Sequence, residues 1–152
     1  MAFCLSVPCI EKIVMRNIFV FLLPLLLVGC FHHGENDAKE AVDSFSVAYF
    51  NWRFKEAMPY VTPHSALWLR FAASQVDQED VDSLRAKKYA ADVRVEDVSS
   101  VDDTTKMATV IVKDFIVMDS IGGSPRVVPI DTFRLPLALA NGFWRVHLRR
   151  LP

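Results

Sequence analysis

Thr105-Lys106-Met107-Ala108-Thr109-Val110-Ile111-Val112-Lys113 alternates with a period of two, setting Ala108, Val110 and Val112 against Thr109, Ile111 and Lys113. This is the pattern of a strand with one buried face, and it runs on to Met118. Working outward, the period changes at Tyr89. Before it, Ala38, Ala41, Val42, Phe45, Ala48, Tyr49 and Trp52 recur at steps of three and four, giving one apolar helical stripe with Lys39, Glu40, Asp43, Ser46 and Arg53 off it. Asp37 is the expected N-cap. A short second helix is expected over Lys55 to Tyr60. Thr62-Pro63 reads as a cap followed by proline at the first helical position, opening a helix that carries Leu67, Trp68 and Phe71 and ends near Ser74. Asp77 and Asp80 form a capping pattern for a fourth helix through Ala86, with Arg85, Lys87 and Lys88 suited to its negative end.

After Tyr89 the chain reads as strands. Ala91, Val93 and Val95 alternate, then the phase slips by one at Val98 and Val101, the mark of a bulge. Asp102-Asp103-Thr104 has turn chemistry, and Gly122-Gly123-Ser124-Pro125 reads as a loop. Arg126 to Ala140 is a third strand, limited by Pro129 and Pro136 to an edge position or a broken ladder. Asn141-Gly142 is a strong hairpin signal. Phe143 to Leu151 returns with Trp144, Val146 and Leu148 on one face. Helices first and strands after argue an α+β domain: N-terminal helices packed on a curved, antiparallel, four-stranded meander.

The N-terminal part is of a different kind. Arg16 and Asn17 precede an eleven-residue apolar run, Ile18 to Val28, that ends in Leu27-Val28-Gly29-Cys30. The run is too short to span a bilayer, which takes about 20 apolar residues, and it fits a cleaved export signal. Leu27 to Cys30 resembles the lipobox of bacterial lipoprotein signal peptides. The resemblance implies that residues 1–29 are removed and that Cys30 becomes a lipidated N-terminus, thioether-linked and acylated by a palmitate-type chain. More than one lipid chain holds firmly where one binds marginally. Met15-Arg16 is a plausible start of translation, which would make residues 1–14 a start-site artefact. Residues 30–37 then form a tether and 38–152 the single domain. Phe31 stands where, in enterobacteria, aspartate retains lipoproteins at the inner membrane, so the resemblance favours the outer membrane.

Composition narrows the roles. The part from Cys30 onward keeps 15 of 17 basic and 17 of 18 acidic residues, a formal charge of 15 − 17 = −2. That excludes a strongly basic nucleic-acid binder. Cys4 and Cys9 fall in the leader and lipid would occupy Cys30, so no disulfide is expected. There is no Gly-rich phosphate loop, metal-binding cysteine pair or Gly-x-Ser-x-Gly elbow, and no cofactor is implied. His32-His33 with Glu35 and Asp37 are adjacent and few for a metal site, which wants four well-placed ligands. Charge is uneven. Asp77 to Asp103 holds nine acids against four bases, and Arg126 to Pro152 five arginines against Asp131 alone. Two solvated faces are the simpler explanation, an acidic partner the sharper one.

The order of elements resembles the nuclear transport factor 2-like superfamily of α+β cones. The similarity rests on the long first helix Ala38 to Phe54, on Phe54-Lys55-Glu56-Ala57-Met58-Pro59-Tyr60-Val61 as the short second helix, and on Asn141-Gly142-Phe143-Trp144-Arg145-Val146 as the final hairpin. Pro129 and Pro136 depart from it in the penultimate strand. Membership would imply a pocket between curved sheet and helices, used by some members for isomerase, dehydratase or cyclase chemistry and by others for binding or dimerisation. Fold alone does not choose among these. Candidate bases are Asp131 and His64, with Asp119 and His147 behind them, and Tyr49 or Tyr60 as donors. Tyr49, Trp52, Tyr60, Trp68 and Trp144 are the candidate lining of an apolar cavity. The leading expectation is a membrane-anchored envelope lipoprotein that binds a small apolar ligand or an envelope protein without catalysis. An isomerase- or cyclase-type enzyme and a structural homodimerisation module are the alternatives. Replacing Cys30 by serine should move the protein from the membrane to the soluble fraction. Retention of Cys30→Ser at the membrane on fractionation would end the anchor assignment.

Overall fold

The computed structural model describes residues 35–117 and 125–152. The leader, Cys30, His32-His33, Asp119 and the Gly122-Gly123 loop lie outside the described residues. Four helices precede four strands: α1 (Glu35–Tyr49), α2 (Phe54–Ala57) running into a 3-10 turn (Met58–Tyr60), α3 (Ala66–Gln75), α4 (Gln78–Ala86), then β1 (Asp92–Ser100), β2 (Thr105–Val117), β3 (Arg126–Ala140) and β4 (Phe143–Val146). The strands form one antiparallel sheet in the order β1-β2-β3-β4. The expected α+β meander is the observed architecture.

The apolar stripe of α1 is buried as its spacing requires. Ala38, Ala41, Val42, Phe45 and Ala48 pack against the inner sheet face, where Val95, Val98, Ala108, Val110, Val112, Leu135, Leu137, Trp144 and Val146 are buried. Two boundaries differ from expectation. The helix begins at Glu35, so Asp37 lies in its first turn instead of capping it. Ser46, placed off the stripe, is fully buried, and its Oγ has no partner among the described residues. The helix also stops at Tyr49 instead of reaching Phe54. Arg53 N–H bonds the Ala48 carbonyl at 2.9 Å across Trp52, which sits at φ 57°. That is a left-handed helix end of the kind glycine usually supplies.

The turn chemistry held. The Asp77 carboxylate accepts from the Asp80 amide and the Asp80 carboxylate from the Asp77 amide, each at 3.0 Å, a reciprocal cap on α4. Asn141 and Gly142 take φ 53° and 80°, which a two-residue hairpin loop demands. Asp102 accepts from the Thr104 amide and hydroxyl at 2.8 and 2.9 Å, and these bonds hold its carboxyl below the ordinary range. The bulge falls at Glu96, between Val95 and Asp97.

Three expectations need correction. Helix α3 buries Leu69 and Ala72, not Leu67, which faces outward, or Phe71, which is 43% exposed, while Trp68 is half-buried. Pro63 to Ser65 form a turn ahead of the helix and rotate its inner face by about two residues. The fourth strand ends at Val146 instead of Leu151, because Leu148 turns its backbone to Ser65 Oγ. β3 is long and continuous despite both prolines. Pro136 accepts from His147 N–H through its carbonyl, so its missing N–H faces β4 and no bond to β2 is lost. Pro129 lies opposite Asp114, where the ladder would need its N–H. Lys87 Nζ donates to the Asp114 carbonyl instead, and Asp114 takes φ 51°. The left-handed residue resets the alternation, so Phe115 turns inward after Val112.

The rotation of α3 is checkable by unfolding in urea. Leu69→Ala should lose about 2–5 kcal/mol through its cavity. Leu67→Ala, with the native side chain 60% exposed, should stay within about 0.5 kcal/mol of the parent.

Candidate functional site

An apolar cleft of about 270 Å³ opens between the end of α1, one side of α3, the end of β2, Phe133 in the middle of β3 and Leu151 and Pro152. Its walls are built by the irregularities just described. The left-handed end of α1 aims Trp52 at the sheet, where Nε1 donates to the Ile116 carbonyl at 3.2 Å. A bulky residue at positive φ is disfavoured by about 1–3 kcal/mol and persists only where surroundings over-determine it. Here the indole hydrogen bond and the stacked Phe54 ring, 6.5 Å away, do so. Asn51 fixes the same turn from the other side, accepting from Ala91 N–H at 2.7 Å and donating to the Val47 carbonyl at 2.9 Å. The phase reset at Asp114 brings in Phe115, which meets Phe50 and Phe133 in a three-ring cluster with centroids 4.6–5.5 Å apart.

The polar content is small. Among the described residues no carboxylate, imidazole, ammonium or guanidinium side chain lines the cleft; the polar side chains are Tyr49, Gln75 and the tethered Trp52 indole. Burial drives the Tyr49 phenol well above its ordinary pKa. It stays a protonated donor throughout the physiological range, and among the described residues its hydroxyl has no hydrogen-bond partner. Such a surface can hold an apolar molecule and offer it the Tyr49 hydroxyl and the Gln75 amide as donors. Its described side chains include no base.

The candidate residues scatter. Tyr49 and Trp52 line the cleft. Tyr60 sits in a shallow surface groove with Asp43, Arg53 and Glu56. Trp68 packs against the core without reaching the cleft. Trp144 is a core residue, with Lys106 Nζ 5.0 Å from its ring centroid and Nε1 unpartnered among the described residues. Asp131 and His64 are both exposed and neither lines the cleft. Asp131 shares the inner-face phase of Phe133 and Leu135, but it lies where β3 has outrun the covering helices. The lining missed by sequence is mostly phenylalanine: Phe50, Phe54, Phe71, Phe115 and Phe133. Only the break in alternation after Val112 signalled any of them.

One hydroxyl–imidazole chain lies elsewhere. Thr62 Oγ1 is 2.7 Å from Ser65 Oγ and 3.1 Å from His147 Nδ1, and the His64 and His147 rings stack at 6.1 Å. Ser65 is fully buried and its oxygen already serves the Leu148 amide and carbonyl at 2.7 and 3.4 Å. The chain is therefore a clamp joining the turn before α3 to the residues after β4, not a nucleophile with its base. Among the described residues no group of three or more potential metal ligands occurs, and no helix is long and apolar enough to cross a membrane.

No protein-family model matches this chain, and no curated protein is similar to it in sequence. Among the solved structures similar in chain path are two NTF2-like proteins. One, from Campylobacter jejuni and provisionally described as an NTF2-like transpeptidase, is 14% identical over 72% of this chain and 96% of its own, with a TM-score of 0.47. The other, an NTF2-like protein of unknown function from Shewanella oneidensis, is 12% identical over 74% and 95%, with a TM-score of 0.49. Neither likeness carries chemistry to this chain.

The buried phenol has a pH signature. The unfolded chain releases the Tyr49 proton near pH 10 while the folded chain keeps it, so stability falls as pH rises through that value. Tyr49→Phe should flatten that alkaline loss in urea titrations below and above pH 10. An unchanged alkaline slope would show that the phenol is not desolvated.

Proposed function

We propose that the protein is an envelope lipoprotein, anchored through Cys30, whose NTF2-like domain holds a small apolar ligand without transforming it. The observation that carries this reading is the cleft, walled by seven aromatic side chains and, among the described residues, by no acidic or basic side chain. A catalyst of the isomerase or cyclase type needs a base and a polarising donor converging on the substrate. Asp131 and His64 face solvent, so the two leading base candidates of that alternative stand away from the cleft, while Asp119 lies outside the described residues. A purely structural module would be expected to fill the space between helix and sheet, and here it stays open. The retained phenol of Tyr49 suits a ligand carrying one hydrogen-bond acceptor.

Titration of the full chain with N-phenyl-1-naphthylamine, a neutral apolar fluorophore, tests the reading. Saturable emission with energy transfer from tryptophan is expected. Trp52→Gly keeps a left-handed helix end and removes a wall, while Ala72→Trp fills the space. Each should weaken binding by at least about tenfold, or about 1.4 kcal/mol, with the circular dichroism of the fold retained. Equal binding by parent and both variants would refute the cleft as the site.

A further inference from the structure

β3 leaves much of one edge unpaired. β4 covers only Leu137 to Ala140. After His147 N–H reaches the Pro136 carbonyl at 2.7 Å, the chain turns away to Ser65. The backbone groups of Pro136 thus point away from β2. By the period of two, those of Arg134, Thr132, Ile130 and Val128 do the same. Among the described residues no neighbouring strand reaches these four. The Thr132 amide is held instead by the carboxylate of the adjacent Asp131, at 2.7 Å. A side-chain acceptor on an outward amide occupies the place that a carbonyl of an added strand would take.

Charge marks the same edge. Arg134, Arg149 and Arg150 are exposed and line a groove of about 560 Å³ between β3 and residues 148–152. The ion pairs among the described residues are Arg53–Glu56 and Arg85–Asp82, so none involves these three. Asp131 is the one acid in Arg126 to Pro152, and it is engaged with Thr132.

We propose that this edge docks an extended acidic segment of a partner protein, added to β3 as a further strand over Val128 to Arg134. A carbonyl of the segment would displace the Asp131 carboxylate from the Thr132 amide. Its own carboxylates, at alternate positions, would meet Arg134, Arg149 and Arg150. Main-chain bonds give such a complex its affinity and side chains its selectivity. A free small anion would use the arginines but leave the row of amides unanswered. A second copy of this chain fits less well. Its acidic edge, β1, carries Asp92, Glu96 and Asp97 but is broken by the bulge at Glu96, which spoils flat pairing. The groove adjoins the cleft, sharing Phe133, Leu151 and Pro152, but the outward amides and the three arginines do not line the cleft and the proposal does not rest on the ligand assigned there.

The test is fluorescence anisotropy of the full chain with a short, blocked, labelled peptide alternating glutamate and valine. The acidic peptide should bind, and its lysine counterpart and its alternately N-methylated form should not. Arg134→Glu combined with Arg149→Glu should weaken binding about tenfold, and Asp131→Ala, which frees the Thr132 amide and removes a like charge, should tighten it about threefold. Binding unaffected by N-methylation would reduce the site to anion capture and overturn strand addition. Equal binding of the lysine peptide would overturn the acidic preference. Sedimentation showing self-association of the parent that the arginine double variant abolishes would make the occupant a second copy and sink the proposal.

Discussion

One helix has to cover a sheet longer than itself. At 1.5 Å per residue, the 15 residues of α1 span about 22 Å. At about 3.4 Å per residue, the 13 residues of β2 and the 15 of β3 span about 44 and 50 Å. The packing of Val42, Phe45 and Ala48 on Val110, Leu137 and Val146 closes the core where helix and sheet overlap. Past Tyr49 the helix runs out while the strands continue. The end of β2 and the middle of β3 must then be covered by whatever the turn after α1, the side of α3 and Leu151-Pro152 can offer.

What they offer is a ring of aromatics that does not close. Trp52, held at a positive φ, reaches the sheet from the turn, and Phe115 comes inward because Asp114 resets the strand. Rings are rigid and large, and a few of them leave gaps that flexible aliphatic chains would fill. The cleft is thus a consequence of the length mismatch and of two left-handed residues. Its chemistry follows from what lies near: Asp131 and His64 sit on exposed strand and turn positions beyond the helical cover, and His147 is held by Thr62. Tyr49 is the exception, a phenol buried among Phe45, Phe50 and Phe54.

The same mismatch shapes the sheet edges. β4 is only four residues long, so most of β3 is left beside a groove instead of a strand. Proline, charge and bulge are the usual means of guarding such an edge. β1 has its bulge and acids. β3 has Pro129, but that proline faces β2 and leaves the outer row of amides intact. Asp131, on Thr132, is a guard that can be displaced.

The sequence by itself determined the α+β class, the order of elements, the capping of α4, the hairpin at Asn141-Gly142 and the bulge near Val98, because each rests on local periodicity or on a turn that particular residues alone can make. Tyr49 and Trp52 were legible as cleft candidates for the same reason, as aromatics at the end of a clear stripe. Only the tertiary structure decided which face of α3 turns inward, where the fourth strand stops, and that Trp144 and Trp68 belong to packing. Those outcomes depend on contacts distant in sequence: Ser65 with Leu148, Lys87 with Asp114, Trp52 with Ile116. Asp131 shows the gap most plainly. Its alternation with Phe133 and Leu135 is that of a buried residue, and it is exposed because burial depends on what stands opposite, which a period of two does not record.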